Sequence, residues 1–410
     1  MISLRKHTTL LSQLGMRALT LGLMGLIALA ANSFAGPREQ ALQIHNRVAG
    51  VPPTEPVLLQ MTQLIEANNV AGAVNLAMDN EAFYSVTLKN LATPWTNREQ
   101  TVFAPLNDYT ATIIGMVRDD KDFRTILYDN IIYTVNGVSP SYSNSDNNHY
   151  IQAQTQAVSL KTNLVEREQS QVTGLPVEAV SGVITSRAAA RAFFIDGTNR
   201  AMFRFTLMNH LCRDLEQVHD VTRIPDFIRQ DVSRSPGGDS RVFLNNCMGC
   251  HNGMDPMAKA YAYYDFEYPT DTPDAGAIHY NQTNDIHKGE TQETRVEFKY
   301  LQNSSTFKQG YVTENSSWKN YWREGINKHL GWDNSLPGSG TGASSMNQEL
   351  AHSKAFASCQ VEKVFEDVCL RTPASNDDLT KIEEFTTSFA SSGYKLKQVF
   401  RDTANYCKGE

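Results

Sequence analysis

The sequence predicts a mainly α fold: a helical N-terminal domain over residues 36–175, then a second helical domain over 176–410 that is broken by an irregular polar insertion at about 267–317. Three observations predict it. Apolar residues recur at three- and four-residue spacing near both ends of the chain, the pattern of amphipathic helices. The stretch 136–148 is rich in Ser and Asn, holds a Gly and a Pro, and reads as a loop or domain boundary. The length of 410 residues suits two domains with real cores.

The first 35 residues read as a secretory signal peptide. Arg5, Lys6 and Arg17 stand without an acidic partner, an apolar run follows over about 18–30, and Ser33-Phe34-Ala35 supplies small residues for cleavage. Cleavage is expected between Ala35 and Gly36, with a cut after Ala30 as the alternative. The run is shorter than the ~20 residues of a spanning helix, no cysteine near the cut offers a lipid anchor, and no later segment is apolar enough to span. No transmembrane anchor is therefore expected after cleavage, and the location is periplasmic or secreted. Losing the leader removes three positive charges and moves the net charge from −7 to about −10. That balance excludes nucleic acid as a partner.

The elements follow in order. Val57, Met61, Leu64 and Ile65 make a helical stripe, with Thr54 as N-cap and Pro56 in the first turn. A second helix covers 70–78. A third covers about 106–119 with Ile113, Ile114 and Val117 inward, and a short one covers 123–127. Past the loop at 136–148, Phe203, Leu207, Leu211 and Leu215 are spaced by four and predict a helix over 201–215. A loop over 233–240 holds Pro236-Gly237-Gly238, and Ser240 is placed to cap a short helix. Within the insertion, Val296, Phe298 and Tyr300 alternate and suggest a strand. The C-terminal helices span 345–407. Val361, Val364, Phe365 and Val368 make one stripe. Ser375 and Asp378 form a capping box with aspartate in place of Glu or Gln, ahead of Leu379, Ile382 and Phe389. Gly393 ends that helix, and Leu396, Val399, Phe400 and Cys407 line the last.

Residues 247–251 read Cys-Met-Gly-Cys-His, the attachment pattern of c-type haem. The sulfurs of Cys247 and Cys250 form thioethers with the haem vinyl groups, and His251 supplies the proximal axial nitrogen of the iron. Export strengthens this reading, since a cytosolic chain with the same five residues more often binds a metal or works as a redox pair. One such motif means one haem c. Asp255-Pro256 follows, and a carbonyl near Pro256 is the expected acceptor for the other His251 ring nitrogen. For the sixth iron position, Met346 is the first candidate, after the Gly/Ser loop 337–342, and His329 the second. A vacant position, His279, His287 and His352 stay open. Trp318, Tyr321, Trp322 and Trp332, with Tyr261, Tyr263, Tyr264 and Phe266, either wall a haem pocket or fill the core.

Four cysteines remain. Cys359 and Cys369 share one predicted helix about 15 Å apart at 1.5 Å per residue, beyond the ~7 Å between Cα atoms that a disulfide allows. With the last helices running up, down and up, Cys369 pairs with Cys407, which leaves Cys212 for Cys359.

Phe243, four residues before Cys247, resembles the aromatic that packs on the porphyrin in class I cytochromes c, and a distal Met on a loop before the last helices resembles the same class. More broadly, Gly182-Val-Ile-Thr-Ser-Arg187, Asn209-His-Leu-Cys-Arg-Asp-Leu215, Cys250-His251 with Asp255-Pro256, and Leu350-Ala-His-Ser-Lys-Ala-Phe-Ala-Ser-Cys359 resemble exported bacterial monohaem cytochrome c-domain proteins related to the planctomycete-type cytochromes. The resemblance covers about 180–410 and implies a cytochrome c-like haem domain and export, without a specific reaction. The expected role is an electron carrier or electron-accepting subunit with a redox protein partner in the periplasm or at the cell surface. The alternative is a peroxidase- or oxygenase-like haem enzyme with an open sixth position. Zinc binding by the motif is a third reading, weakened because Cys250 and His251 are adjacent where zinc sites space their ligands.

Overall fold

The structure, a computed structural model, describes residues 35–195, 198–227, 239–269, 271–286, 293–300 and 310–409. The expected leader up to residue 34, the Pro236-Gly237-Gly238 loop and His287 lie outside the described residues. The fold is mainly helical. Its main helices are α1 (Pro37–Ala49), α2 (Glu55–Glu66), α3 (Val70–Met78), α4 (Asp108–Arg118), α5 (Asn148–Thr155), α6 (Arg187–Phe193), α7 (Asn199–Leu211), α8 (Met248–Ala258), α9 (Ala343–Ala351), α10 (Lys354–Cys369), α11 (Asn376–Ser391) and α12 (Leu396–Cys407).

The N-terminal helices follow the periodicity closely. In α2, Leu58 and Met61 are buried, while Val57, Leu64 and Ile65 pack at the margin of the core. Thr54 takes the extended cap conformation, but its hydroxyl makes no capping bond. Asn69 caps α3 by accepting from the Gly72 amide at 2.9 Å. α4 begins at Asp108, two residues later than expected, because the Asn107 side chain accepts from the Thr110 amide at 3.0 Å and fixes the cap there. Ile113, Ile114 and Val117 are inward as predicted. Residues Phe123–Leu127 form a 3-10 turn. Two short strands, β1 (Ile132–Val135) and β2 (Leu164–Arg167), pair antiparallel across α5.

Three expectations change in the second part. The helix predicted over 201–215 stops at Leu211, because Cys212 turns left-handed (φ 52°). Leu215 then belongs to the next 3-10 turn, Leu215–Val218, which Asp214 caps. The insertion is less irregular than its composition suggested. Strands β3 (Tyr264–Glu267) and β4 (Ala277–Tyr280) form an antiparallel hairpin with Phe266 opposite Ile278, and it packs on α6. Two smaller pairs follow, β5 (Asp285–Ile286) with β6 (Glu293–Thr294), and β7 (Ser317–Lys319) with β8 (Ser339–Thr341). Phe298–Tyr300 is a 3-10 turn rather than a strand, closed by the Tyr300 amide on the Glu297 carbonyl at 2.8 Å. The expected alternation fails in burial too: Val296 and Tyr300 are inside, but Phe298 between them is half exposed and the adjoining Glu297 is buried.

The C-terminal helices form a layer of α10 against α11 and α12, and α12 returns onto α3 and α1. The two parts of the chain thus share one main apolar core, which runs from Ala41 to Cys407 in sequence. Both expected disulfides are formed, Cys212–Cys359 and Cys369–Cys407, with Cα–Cα distances of 5.2 and 5.5 Å. Ser375 and Asp378 make the predicted reciprocal capping box. Among the described residues, no helix is long and apolar enough to cross a membrane.

Candidate functional site

The Cys-Met-Gly-Cys-His motif opens α8. The turn leading into it starts at Asp239, whose Oδ1 accepts from the Arg241 amide at 2.9 Å. Asp239 therefore takes the capping role expected of Ser240, which is the first helical residue. Residues Phe243–Cys247 then form one π turn, and the Met248 amide donates to the Phe243 carbonyl. Such wide turns add one residue to a helix and concentrate at functional sites.

At 100° per residue, α8 has two faces. Gly249 and Gly253 fall on one of them. A Cβ at Gly249 would lie 2.1 Å from Nε2 of His219, and one at Gly253 would lie 1.9 Å from Nε1 of Trp322. The fully buried Trp322 ring cannot yield at Gly253, whereas the exposed His219 ring can swing aside at Gly249. The same face is pinned by the Asp220 amide, which donates to the Gly249 carbonyl at 2.8 Å, and by Asn252 Nδ2 on the Asp220 carbonyl at 2.6 Å. Cys247, Cys250, His251, Met254 and Asp255 fall on the opposite face. There the first turn, with both thiols and the imidazole, is partly exposed, and the next turn, Met254 and Asp255, is buried.

On that face the imidazole is held from one side. His251 Nδ1 lies 3.1 and 3.2 Å from the two carboxylate oxygens of Asp255. This replaces the backbone acceptor expected near Pro256. Because the chain continues as helix through Ala258, the Pro256 carbonyl lies more than a turn further along the axis, whereas an i+4 side chain shares the face of His251. Arg200 of α7 grips the same carboxylate with both fork nitrogens, Nε to Oδ1 at 2.7 Å and Nη2 to Oδ2 at 2.8 Å. Burial works to raise the Asp255 pKa. The Arg200 charge and then His251 outweigh it and hold the carboxyl well below the usual range. The Nδ1 atom being engaged leaves Nε2 as the ring nitrogen available to a ligand. The Phe243 ring packs 5.0 Å from the His251 ring and forms its own small apolar cluster with Cys247 and Met248.

Of the six cysteines, Cys247 and Cys250 alone are unbridged. The Cys250 thiol donates to the Leu215 carbonyl at 3.4 Å. Burial pushes its pKa up and Glu216 acts in the same direction, so the neutral thiol is favoured over a thiolate.

The other sequence candidates are dispersed. Met346 is fully buried on α9 within the main core, a different apolar cluster from that of Phe243. His329 is exposed and lines a cavity of about 750 Å³ with Thr222, Arg323 and Trp332. Its Nδ1 lies 2.6 Å from the Ile326 carbonyl. That cavity lies beyond the turn at Asp220, whose carboxylate abuts Gly325 and whose backbone packs on the glycine face of α8. His352 has both ring nitrogens engaged, with Asp333 and Tyr128, each at 3.3 Å. His279 sits on β4, facing Asn281 and Glu267. Trp318, Trp322, Trp332, Tyr261, Tyr264 and Phe266 belong to the main core. Arg200 escaped the sequence reading because it stands 55 residues before its partner. The available signal was Asp255 itself, since a carboxylate on a largely apolar helix turn requires a cation or several donors.

No family model, no curated protein and no solved structure matches the chain. The residues present nevertheless fit a covalently attached haem on their own chemistry. One partly exposed helix turn carries two unbridged sulfurs and an imidazole with Nε2 to spare, the anchored nitrogen is fixed by a buried carboxylate, and an aromatic ring packs against the imidazole.

Proposed function

We propose that the protein is an exported monohaem c-type cytochrome that passes electrons to or from a redox protein partner in the periplasm or at the cell surface. The observation that carries this reading is the cysteine–histidine face of α8, where the two free thiols and the anchored imidazole converge on one turn. Haem bound there would supply a one-electron Fe(III)/Fe(II) couple. Cys247 and Cys250 would hold it by thioethers and His251 Nε2 would ligate its iron. Phe243 packs against the imidazole, and Asp255 holds the proton on Nδ1. The two disulfides fit an oxidising compartment. The resemblance to exported monohaem cytochrome c-domain proteins points the same way.

A second reading, a haem enzyme with an open sixth position, is favoured by one observation: Met346 is fully buried in the main core, and His329 lines a cavity with Thr222, Arg323 and Trp332 whose lining includes no residue of the motif. Spectroscopy of the purified protein tests both. A haem spectrum that survives denaturation, and that disappears in Cys247→Ser/Cys250→Ser, is the expected result. Haem released on denaturing sinks the proposal. A low-spin spectrum unaffected by peroxide supports the electron carrier, and a high-spin spectrum that responds to peroxide supports the enzyme. Met346→Ala and His329→Ala show which side chain, if either, completes a low-spin iron.

A further inference from the structure

We infer that Asp255, clamped by Arg200, positions His251 and biases the iron it would ligate toward Fe(III); the inference rests on the haem reading above. The Asp255 side chain is fully buried and that of Arg200 is 15% exposed, and the pair is bidentate at 2.7 and 2.8 Å. Both carboxylate oxygens also lie within 3.2 Å of His251 Nδ1. The relay Arg200–Asp255–His251 therefore ends on the ring atom whose partner sets how strongly Nε2 donates.

Its chemistry differs from that of a backbone acceptor. A carbonyl oxygen is neutral, whereas the carboxylate forms a charge-assisted bond of roughly twice the strength. It draws the Nδ1 proton and raises the basicity of the ligating nitrogen. A more basic ligand favours the oxidised metal. The clamp also fixes orientation. α7 starts against the end of α8, where Asn199 Nδ2 donates to the Ala258 carbonyl at 2.8 Å, so Arg200 cannot drift from Asp255 without separating the helices. As a stability device the pair is poor, since a buried ion pair is often no better than apolar side chains of equal volume. Its contact with His251 supplies a different reason for its presence.

The test compares wild type with Asp255→Asn, which keeps the volume and an acceptor oxygen but loses the charge. Covalent haem is checked first by denaturing each protein. A wild type without it overturns the haem reading and this inference together. With haem retained, the Asn variant is expected to shift the Fe(III)/Fe(II) equilibrium at least tenfold toward Fe(II), a rise of 59 mV for a one-electron couple. The ferrous iron–histidine stretch should fall with it. Asp255→Glu should return both readouts toward wild type. Should the single variant fail to fold with Arg200 left unpaired, Arg200→Gln/Asp255→Asn removes both charges and is expected to show the same shift. A haem-loaded single or double variant with an unchanged midpoint and an unchanged stretch overturns the inference.

Discussion

Helices α8 and α10 treat the same two residue types in opposite ways. α8 keeps Cys250 free, with Cys247 unbridged at its cap, and pairs its buried Asp255 with Arg200. α10 bridges both of its cysteines, Cys359 and Cys369, and leaves Oδ2 of Asp367 buried without a hydrogen-bond partner. The difference is one of sequence distance. The bridged cysteines meet partners 147 and 38 residues away, so each bond closes a long loop of the unfolded chain. The motif cysteines are neighbours on one turn, and a bond between them would close almost nothing. Cysteine acts as a staple where topology brings distant segments together, and as a reactive handle where sequence alone sets the spacing.

The largest expected effect comes from removing the long staple. Cys212→Ser/Cys359→Ser should cost about 4–5 kcal/mol by loop-closure entropy, and Cys369→Ser/Cys407→Ser roughly 1 kcal/mol less. Denaturant titration measures both. Equal losses would break the distance argument, and covalent haem content should not change in either variant.

Arg200→Met tests the other half of the comparison. It removes the bidentate cation from the buried Asp255 carboxylate, and the expected loss is about 3 kcal/mol. A variant as stable as wild type would mean that the ion pair is not what keeps that carboxylate charged.

The smallest effect, and the most selective, belongs to Asp367. Burial raises its pKa to about 7 in the folded protein, against about 4 for an unfolded aspartate. The folded state therefore binds the proton more tightly. This contribution is fully present below about pH 4 and is lost as pH rises through about 7. Asp367→Asn should stabilise the protein at pH 8 by roughly 1–3 kcal/mol and leave it unchanged at pH 4, as thermal melts at the two pH values would report. A gain of equal size at both would show that ionisation of Asp367 is not responsible.

Local chemistry explains how much of the fold could be read from the sequence. The helix Val70–Met78, the Ser375–Asp378 capping box and the inward stripe of α10 depend on residues within a few positions of each other, and they appear where periodicity and capping placed them. The disulfide pairing was legible in two steps: helix rise forbids Cys359 from reaching Cys369, and an up-down-up run of the last helices brings Cys407 back to Cys369. The left-handed Cys212, the β3–β4 hairpin and the 3-10 turn at Phe298–Tyr300 were not legible. The first two answer to partners distant in sequence, and the third to a local turn hydrogen bond that the apolar spacing does not report. The site divides in the same way. Cys247, Cys250, His251 and Phe243 announce themselves by spacing, whereas Arg200 becomes visible only when α7 is laid against α8.

The π turn over Phe243–Cys247 carries a consequence for how this segment tolerates change. A wide turn counts residues differently from the helix on either side. Deleting one residue within 244–246 would remove the extra residue and restore regular helix with its two flanks in nearly the same phase, which keeps the Phe243 ring near His251. An insertion there would instead shift the phase of everything before it by about 100°. A length scan across 239–247 should therefore tolerate a single deletion inside the turn better than a single insertion at the same positions.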